Sequence, residues 1–165
     1  MTIIPCYALI LTLLLLPPSA TAAYRQQNEI QQFTAVQNAA RAALRLRPLV
    51  WDPKIARYAA RYAGLRRADC ALVHSNGPYG ENIFWGSGDG WTPAQAAAAW
   101  VSERQGYNYR SNSCADGEEC GHYTQIVWRA TARIGCARAV CYGGKGVFMV
   151  CNYDPPGNYI GERPY

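Results

Sequence analysis

Between Gln26 and Leu46 the apolar residues Ile30, Phe33, Ala40, Ala43 and Leu44 return at helical spacing, with Gln, Asn and Arg between them. This periodicity predicts an amphipathic helix. Pro48, which cannot continue a helical hydrogen-bond ladder, is expected to end it. A second helix is predicted to start at Asp52-Pro53, an acid able to cap the first turn followed by a proline suited to the first helical position. Ile55, Ala59, Tyr62 and Ala63 then form an apolar stripe through about Arg67, rich in alanines that let neighbours approach closely. Thr92-Pro93 predicts a third helix from Ala94 to about Gln105, with Gln95 completing a capping box from Thr92. Trp100 and Glu103, three residues apart, share one face of it.

The second half of the chain changes period. Thr131 to Tyr142 and Lys145 to Tyr153 are strand-like and flank Gly143-Gly144, a two-glycine hairpin signal. Between the second and third helices the chain reads His74-Ser-Asn-Gly-Pro-Tyr-Gly-Glu81, with a turn at Asn76-Gly77-Pro78. His74 and Glu81 are therefore expected on an irregular segment, where functional groups often sit. The glycine-rich loop from Gly86 to Gly90 contains no lysine and is not a nucleotide-phosphate cradle. The tail Pro155 to Tyr165 is too rich in proline and glycine for regular structure.

Residues 1 to 23 carry no charged side chain. They hold an apolar run from Ala8 to Leu16 and pass through Pro17-Pro18 into small residues, which reads as a secretory signal peptide cleaved near Ala22 or Ala23. The run is well short of the ~20 apolar residues that span a bilayer. One domain, residues 24 to 165, is expected to remain, with six cysteines at 70, 114, 120, 136, 141 and 151. An even number in an exported chain predicts three disulfides. Folding the chain about Gly143-Gly144 sets Cys136 opposite Cys151, at a cross-strand separation of about 4.5 to 5.5 Å that a disulfide can bridge. Cys114 and Cys120 bracket a short loop that can close locally, and elimination leaves Cys70 with Cys141.

The formal net charge is +5. From Arg41 to Arg67 the chain carries Arg41, Arg45, Arg47, Lys54, Arg57, Arg61, Arg66 and Arg67, with Asp52 as the acid in that span. Such helices suit an anionic cell wall or membrane surface, or simply a solvated face. Nucleic acid is not an expected partner, since the chain reads as exported and shows no nucleic-acid-binding motif. The segment Gly121-His122-Tyr-Thr-Gln-Ile-Val-Trp128 places one of only two histidines beside a run apolar enough to bury itself. An ionisable ring is thereby pinned next to a core-forming segment, as a site requires and as a hydrogen-bonded core histidine also allows.

The motifs GHYTQIVW at 121 to 128, VCNYDPPGNYIGERPY at 150 to 165, GENIFWG at 80 to 86 and AWVSE at 99 to 103 resemble, in order, blocks of the CAP superfamily of cysteine-rich secretory, antigen 5 and pathogenesis-related class 1 proteins. With LVHSNGPYGEN before them, the chain is similar to the plant pathogenesis-related class 1 branch. The resemblance implies an α+β fold: a single-domain α-β-α sandwich with a small antiparallel sheet between helices and the same three disulfides. It also implies a cleft built from His74, Glu81, Glu103 and His122. Two neutral imidazoles could ligate a divalent ion such as zinc through His74 and His122, and a carboxylate beside a histidine could act as an acid–base pair.

No free cysteine and no serine in a nucleophile motif is present, so an enzyme is not the expectation; a metal-dependent hydrolase is the residual catalytic option. The leading expectation is a monomeric, extracellular (apoplastic) antifungal defence protein that binds a sterol or other lipid. Its groove would lie near Tyr107, Tyr109 and Tyr123, whose apolar bodies and polar tips suit a flat hydrocarbon with one hydroxyl. The alternative is a precursor whose tail, residues 155 to 165, is released as a signalling peptide by cleavage between Asp154 and Pro155.

Overall fold

The computed structural model describes residues 20 to 165; the signal peptide expected over residues 1 to 23 lies, up to residue 19, outside the described residues. Helix α1 runs Ala20–Ala43, strand β1 Val50–Trp51, α2 Pro53–Arg66, β2 Gly80–Gly86 and α3 Pro93–Ser102. There follow β3 (Tyr107–Asn108), β4 (Ser113–Cys114), α4 (Gly121–Ile126), β5 (Arg133–Val140) and β6 (Val147–Asp154). Short 3-10 turns continue α3 over Glu103–Gln105 and cross the β5–β6 hairpin over Tyr142–Gly144. The main sheet has the order β1-β5-β6-β2, and β3 pairs with β4 apart from it. β5 and β6 pair antiparallel as the hairpin signal predicts and β2 joins β6 antiparallel, but β1 joins β5 in parallel, so the sheet is mixed and not purely antiparallel.

The helices obey the signals that predict them. Asp52 Oδ1 accepts from the backbone N–H groups of Lys54 (2.7 Å) and Ile55 (3.2 Å). Those bonds, the one from Ile55 foremost, hold its carboxyl below the usual range. Thr92 and Gln95 form the capping box at α3. Helix α1 stops before Pro48 has any part in it: Leu44 and Arg45 bond back to Arg41 and Ala42, and Arg45 takes φ 57°, a left-handed conformation that closes the last turn.

Both faces of the sheet are covered. Ile134, Cys136, Val147, Met149, Cys151 and Tyr153 pack on one side with Phe33 of α1, Ala96, Ala97 and Trp100 of α3, and Tyr123 and Ile126 of α4. Phe148, Val150 and Ile83 pack on the other against Ala59 and Ala63 of α2. Gly135 is what lets α2 lie so close, because a Cβ there would come within 2.1 Å of the Ala56 backbone nitrogen. The hairpin register sets Cys136 opposite Cys151. All three disulfides form in the expected pairing, Cys70–Cys141, Cys114–Cys120 and Cys136–Cys151.

Two readings of the sequence are corrected. Residues 80 to 86 are an edge strand, so Glu81 stands on regular structure and not on a loop. Arg41 is not part of a basic surface: it is 1 % exposed. Its guanidinium donates to the carbonyls of Arg47, Ile126, Trp128 and Thr131 at 2.7 to 2.9 Å. Burial pulls its pKa down to about 10, which leaves it charged at neutral pH. Its charge thus meets the unsatisfied carbonyls at the C-terminal end of α4.

Candidate functional site

The site is assembled from two histidine–glutamate pairs. After Cys70, which takes φ 59°, the chain crosses the end of α2 and is strapped to it by Tyr62, whose hydroxyl donates to the Val73 carbonyl, and by Tyr58, whose hydroxyl donates to Ser75 Oγ at 3.0 Å. His74 Nδ1–H then donates to Glu81 Oε1 at 2.9 Å. The same oxygen accepts from the Ser75 backbone N–H at 2.8 Å, and Glu81 Oε2 accepts from Asn152 Nδ2 at 3.0 Å. The Glu81 side chain is 6 % exposed and the His74 side chain 54 %.

The second pair is built around α4. A helix of six residues cannot hold itself together by propensity. Here Glu103, in the turn after α3, supplies what the first turn lacks: its Oε2 accepts from the backbone N–H groups of His122 (2.9 Å) and Tyr123 (3.1 Å). Its Oε1 accepts from His122 Nδ1 at 2.5 Å. One carboxylate therefore caps the helix and orients the ring. The imidazole also stacks on Trp100, with ring centroids 6.1 Å apart. Asn82 closes the far side by donating to the His122 carbonyl at 3.0 Å and to the Tyr153 hydroxyl at 3.1 Å.

His74, Glu81 and His122 come together on the walls of one depression of about 340 Å³, with Asn82, Glu119, Gly121 and Asn158. Glu103 stands behind His122 and not on the wall. Because a carboxylate takes Nδ1 of each ring, Nε2 is the lone-pair nitrogen in both neutral imidazoles. That tautomer is the one a metal ligand needs, with the carboxylate as its outer partner.

The expected ligand pair His74 and His122 lines one depression, and a second grouping of possible ligands lies beside it. Among the described residues, the group whose donor atoms all lie within 4.8 Å of one another is Glu103, Glu119 and His122, while His74 bonds to Glu81 on β2. Glu119 was missed by sequence reasoning; its only signal is an acid in the loop closed by Cys114–Cys120, three residues ahead of His122. Among the described residues neither imidazole hydrogen-bonds to a serine or thiol.

The three tyrosines expected to wall a lipid groove are placed differently from one another. Tyr123 is buried in the core at 1 % exposure. Burial, and then its hydrogen bond with Tyr165, push its hydroxyl far above the ordinary range. Tyr109 stacks on Tyr165 with centroids 4.7 Å apart and planes 9° from parallel. Tyr107 alone of the three lines an open depression, of about 310 Å³, with Asn112, Thr124, Trp128, Tyr159 and Pro164 among its walls. Tyr107 and Tyr123 pack on each other at 6.0 Å.

The tail itself forms part of that wall. Pro164 O accepts from the Arg129 backbone N–H at 2.6 Å, Asn158 donates to Gly121 O at 2.8 Å, and Arg163 donates to Tyr109 O and Arg110 O. At its root, the Asp154 carboxylate accepts from Arg133, and Pro155 O accepts from Thr131 Oγ1 at 2.9 Å.

Comparison with known proteins agrees with this architecture. The cysteine-rich secretory protein family (CAP) profile matches residues 34–153. Pathogenesis-related protein PR-1 of Medicago truncatula is 60 % identical over 166 residues, covering 96 % of each chain. Pathogenesis-related protein 1A of Nicotiana tabacum is 51 % identical, covering 98 % of this chain and 95 % of its own. Among solved structures, venom allergen-like protein 4 of Schistosoma mansoni shares the fold with a TM-score of 0.67 at 24 % identity, over 84 % of this chain and 94 % of its own. The hookworm platelet inhibitor does so with a TM-score of 0.61 at 23 % identity, over 82 % and 73 %. With its profile match, its fold and its three bridges in agreement, the chain belongs to the cysteine-rich secretory (CAP) protein family, among relatives that are plant pathogenesis-related proteins.

Proposed function

We propose that this protein is an extracellular plant defence protein that binds a sterol or similar lipid and acts against microbes by withholding it. The observation that carries the reading is the aromatic depression beside the histidine cleft. Tyr107, Trp128, Tyr159 and Pro164 offer flat apolar surface, and Asn112, Thr124 and Glu162 offer partners for a single hydroxyl. That combination suits a rigid hydrocarbon with one polar end. Relatives named for pathogenesis support the defence role, and three formed disulfides with the N-terminal signal pattern support export. The test is saturable binding of a labelled sterol. Tyr159→Asp, at a half-exposed position on the depression wall, is expected to weaken it at least tenfold, and His74→Ala to leave it unchanged. Binding no tighter than to an unrelated basic protein rejects the reading.

The His–Glu cleft is read as a second, separate site for a divalent ion such as zinc. His122 Nε2 and the Glu119 carboxylate would hold the ion, with His74 facing them across the depression. Bound there, the ion would supply a fixed positive charge. Glu103 and Glu81 would keep the two rings oriented, since their oxygens are already committed to backbone and ring donors.

The tail supports a further reading as a releasable peptide. Beyond Asp154 it has no regular secondary structure, and Ile160 is fully exposed. Mass spectrometry of extracellular fluid under pathogen challenge is expected to find a fragment beginning at Pro155; its absence counts against release.

A further inference from the structure

The face of the molecule opposite α4 and the tail carries a pattern that neither cleft explains. Helix α2 buries Ile55, Ala59 and Ala63 against the sheet. Its outward ridge is Lys54, Arg57, Arg61 and Leu65, all exposed and spaced three to four residues apart. At the C-terminal end of α2 this ridge runs into a pole where three other segments meet. Cys70–Cys141 ties the helix end to the β5–β6 hairpin. Arg67 lies over the Tyr142 ring at 4.5 Å and donates to Val140 O at 2.9 Å. Lys145 Nζ donates to Ala68 O at 2.9 Å, and the Lys145 carbonyl accepts from Trp85 Nε1 at 2.8 Å.

Around these cations the apolar side chains are open to solvent: Leu65 at 66 %, Leu72 at 56 %, Val73 at 50 %, Trp85 at 43 % and Tyr142 at 57 %. The acid on this pole is Asp69, and Arg66 already pairs with it at 3.0 Å. Among the described residues, Lys54, Arg57, Arg61, Arg67 and Lys145 have no carboxylate within ion-pair distance.

We propose that the outer face of α2 and the pole at its C-terminal end form a docking surface for an anionic lipid bilayer. Charge complementarity selects an anionic partner, since the ridge is cationic and its cations are not neutralised from within the chain. The kind of apolar exposure selects lipid over an acidic polysaccharide. Tyr142 and Trp85 could stack on sugar rings, but Leu65, Leu72 and Val73 offer nothing to sugar hydroxyls and gain by leaving water for hydrocarbon. Trp and Tyr bordered by Arg and Lys is the arrangement found where protein meets headgroups, with rings at the boundary and cations on phosphate. The surface lies on the α2 layer, away from the aromatic depression, so a docked molecule keeps that depression open to solution. The inference stands apart from the sterol reading.

The test measures partition of the protein onto sterol-free vesicles of phosphatidylcholine alone and of phosphatidylcholine with phosphatidylserine. Partition onto the anionic vesicles is expected to be at least tenfold stronger and to fall steeply with added salt. Each cation near the surface accounts for roughly a fivefold change, so Arg57→Glu with Arg61→Glu is expected to lower partition by more than tenfold. Leu65→Ser with Leu72→Ser is expected to lower it severalfold while keeping the salt dependence. A blue shift of tryptophan emission on binding is expected to shrink in Trp85→Phe. Every substituted side chain is exposed, and thermal melts of the variants are to match that of the parent. Equal partition onto the two vesicles, or no loss in the charge-reversed variant, overturns the proposal. So does retention on polygalacturonate that is lost on charge reversal while the vesicles fail to bind.

Discussion

The two histidine–glutamate pairs have the same chemistry and different supports. In both, a carboxylate accepts from Nδ1 of an imidazole and from a backbone N–H. Glu81 is the more enclosed of the two acids, yet its histidine is half in water on a segment strapped down by tyrosine hydroxyls. Glu103 is somewhat more exposed, yet its histidine stands in a helix whose first turn that same acid completes. Burial of the acid therefore does not decide how firmly the ring is held. What decides it is whether the acid also belongs to the scaffold under the ring. On this reasoning His122 is the fixed wall of the cleft and His74 the adjustable one.

The sharpest test of that asymmetry is Glu103→Ala. It removes the acceptor from two backbone donors and one ring donor, and is expected to cost about 3 kcal/mol in urea unfolding. Glu81→Ala, which frees the His74, Ser75 and Asn152 donors, is expected to cost about 1 to 2 kcal/mol because the His74 ring is half in water; a larger loss than for Glu103→Ala would reverse the assignment of scaffold and adjustable acid. In zinc titrations followed by calorimetry, Glu119→Gln is expected to weaken binding roughly tenfold, about 1.4 kcal/mol, if it is an inner ligand. An unchanged affinity would remove Glu119 from the set. Smallest of all is the stability effect of His74→Ala, expected within about 0.5 kcal/mol at so exposed a position. His122→Ala, which strips a ring from Trp100, is expected to exceed it. Nitrogen NMR of the two imidazoles is expected to report the Nδ1–H tautomer in both.

How much of this was readable in advance varies with the range of the interactions involved. Caps and the hairpin were legible because their partners are near in sequence: Asp52 with Lys54 and Ile55, Thr92 with Gln95, and Cys136 with Cys151 across Gly143-Gly144. The four cleft residues were legible through the resemblance of the motifs around them. Helix α4 has too few residues for a period to show, and β2 mixes inward Asn82 with apolar neighbours, so neither announces itself. Arg41 was misplaced because composition counts charges without knowing which carbonyls lack donors; its four acceptors lie between 6 and 90 residues away in sequence. The burial of Tyr123 was hidden for a similar reason, since only the folded tail reveals that Tyr165 sits against it.

Helix α4 is gripped at its start by an acid that follows α3 and at its end by an arginine from α1. The element bearing His122 thus depends on contacts from beyond itself, with Asn82 and Asn158 on its carbonyls adding to the grip of the first and third helices. A change that loosens the docking of either helix is therefore expected to reach the orientation of the His122 ring from a distance.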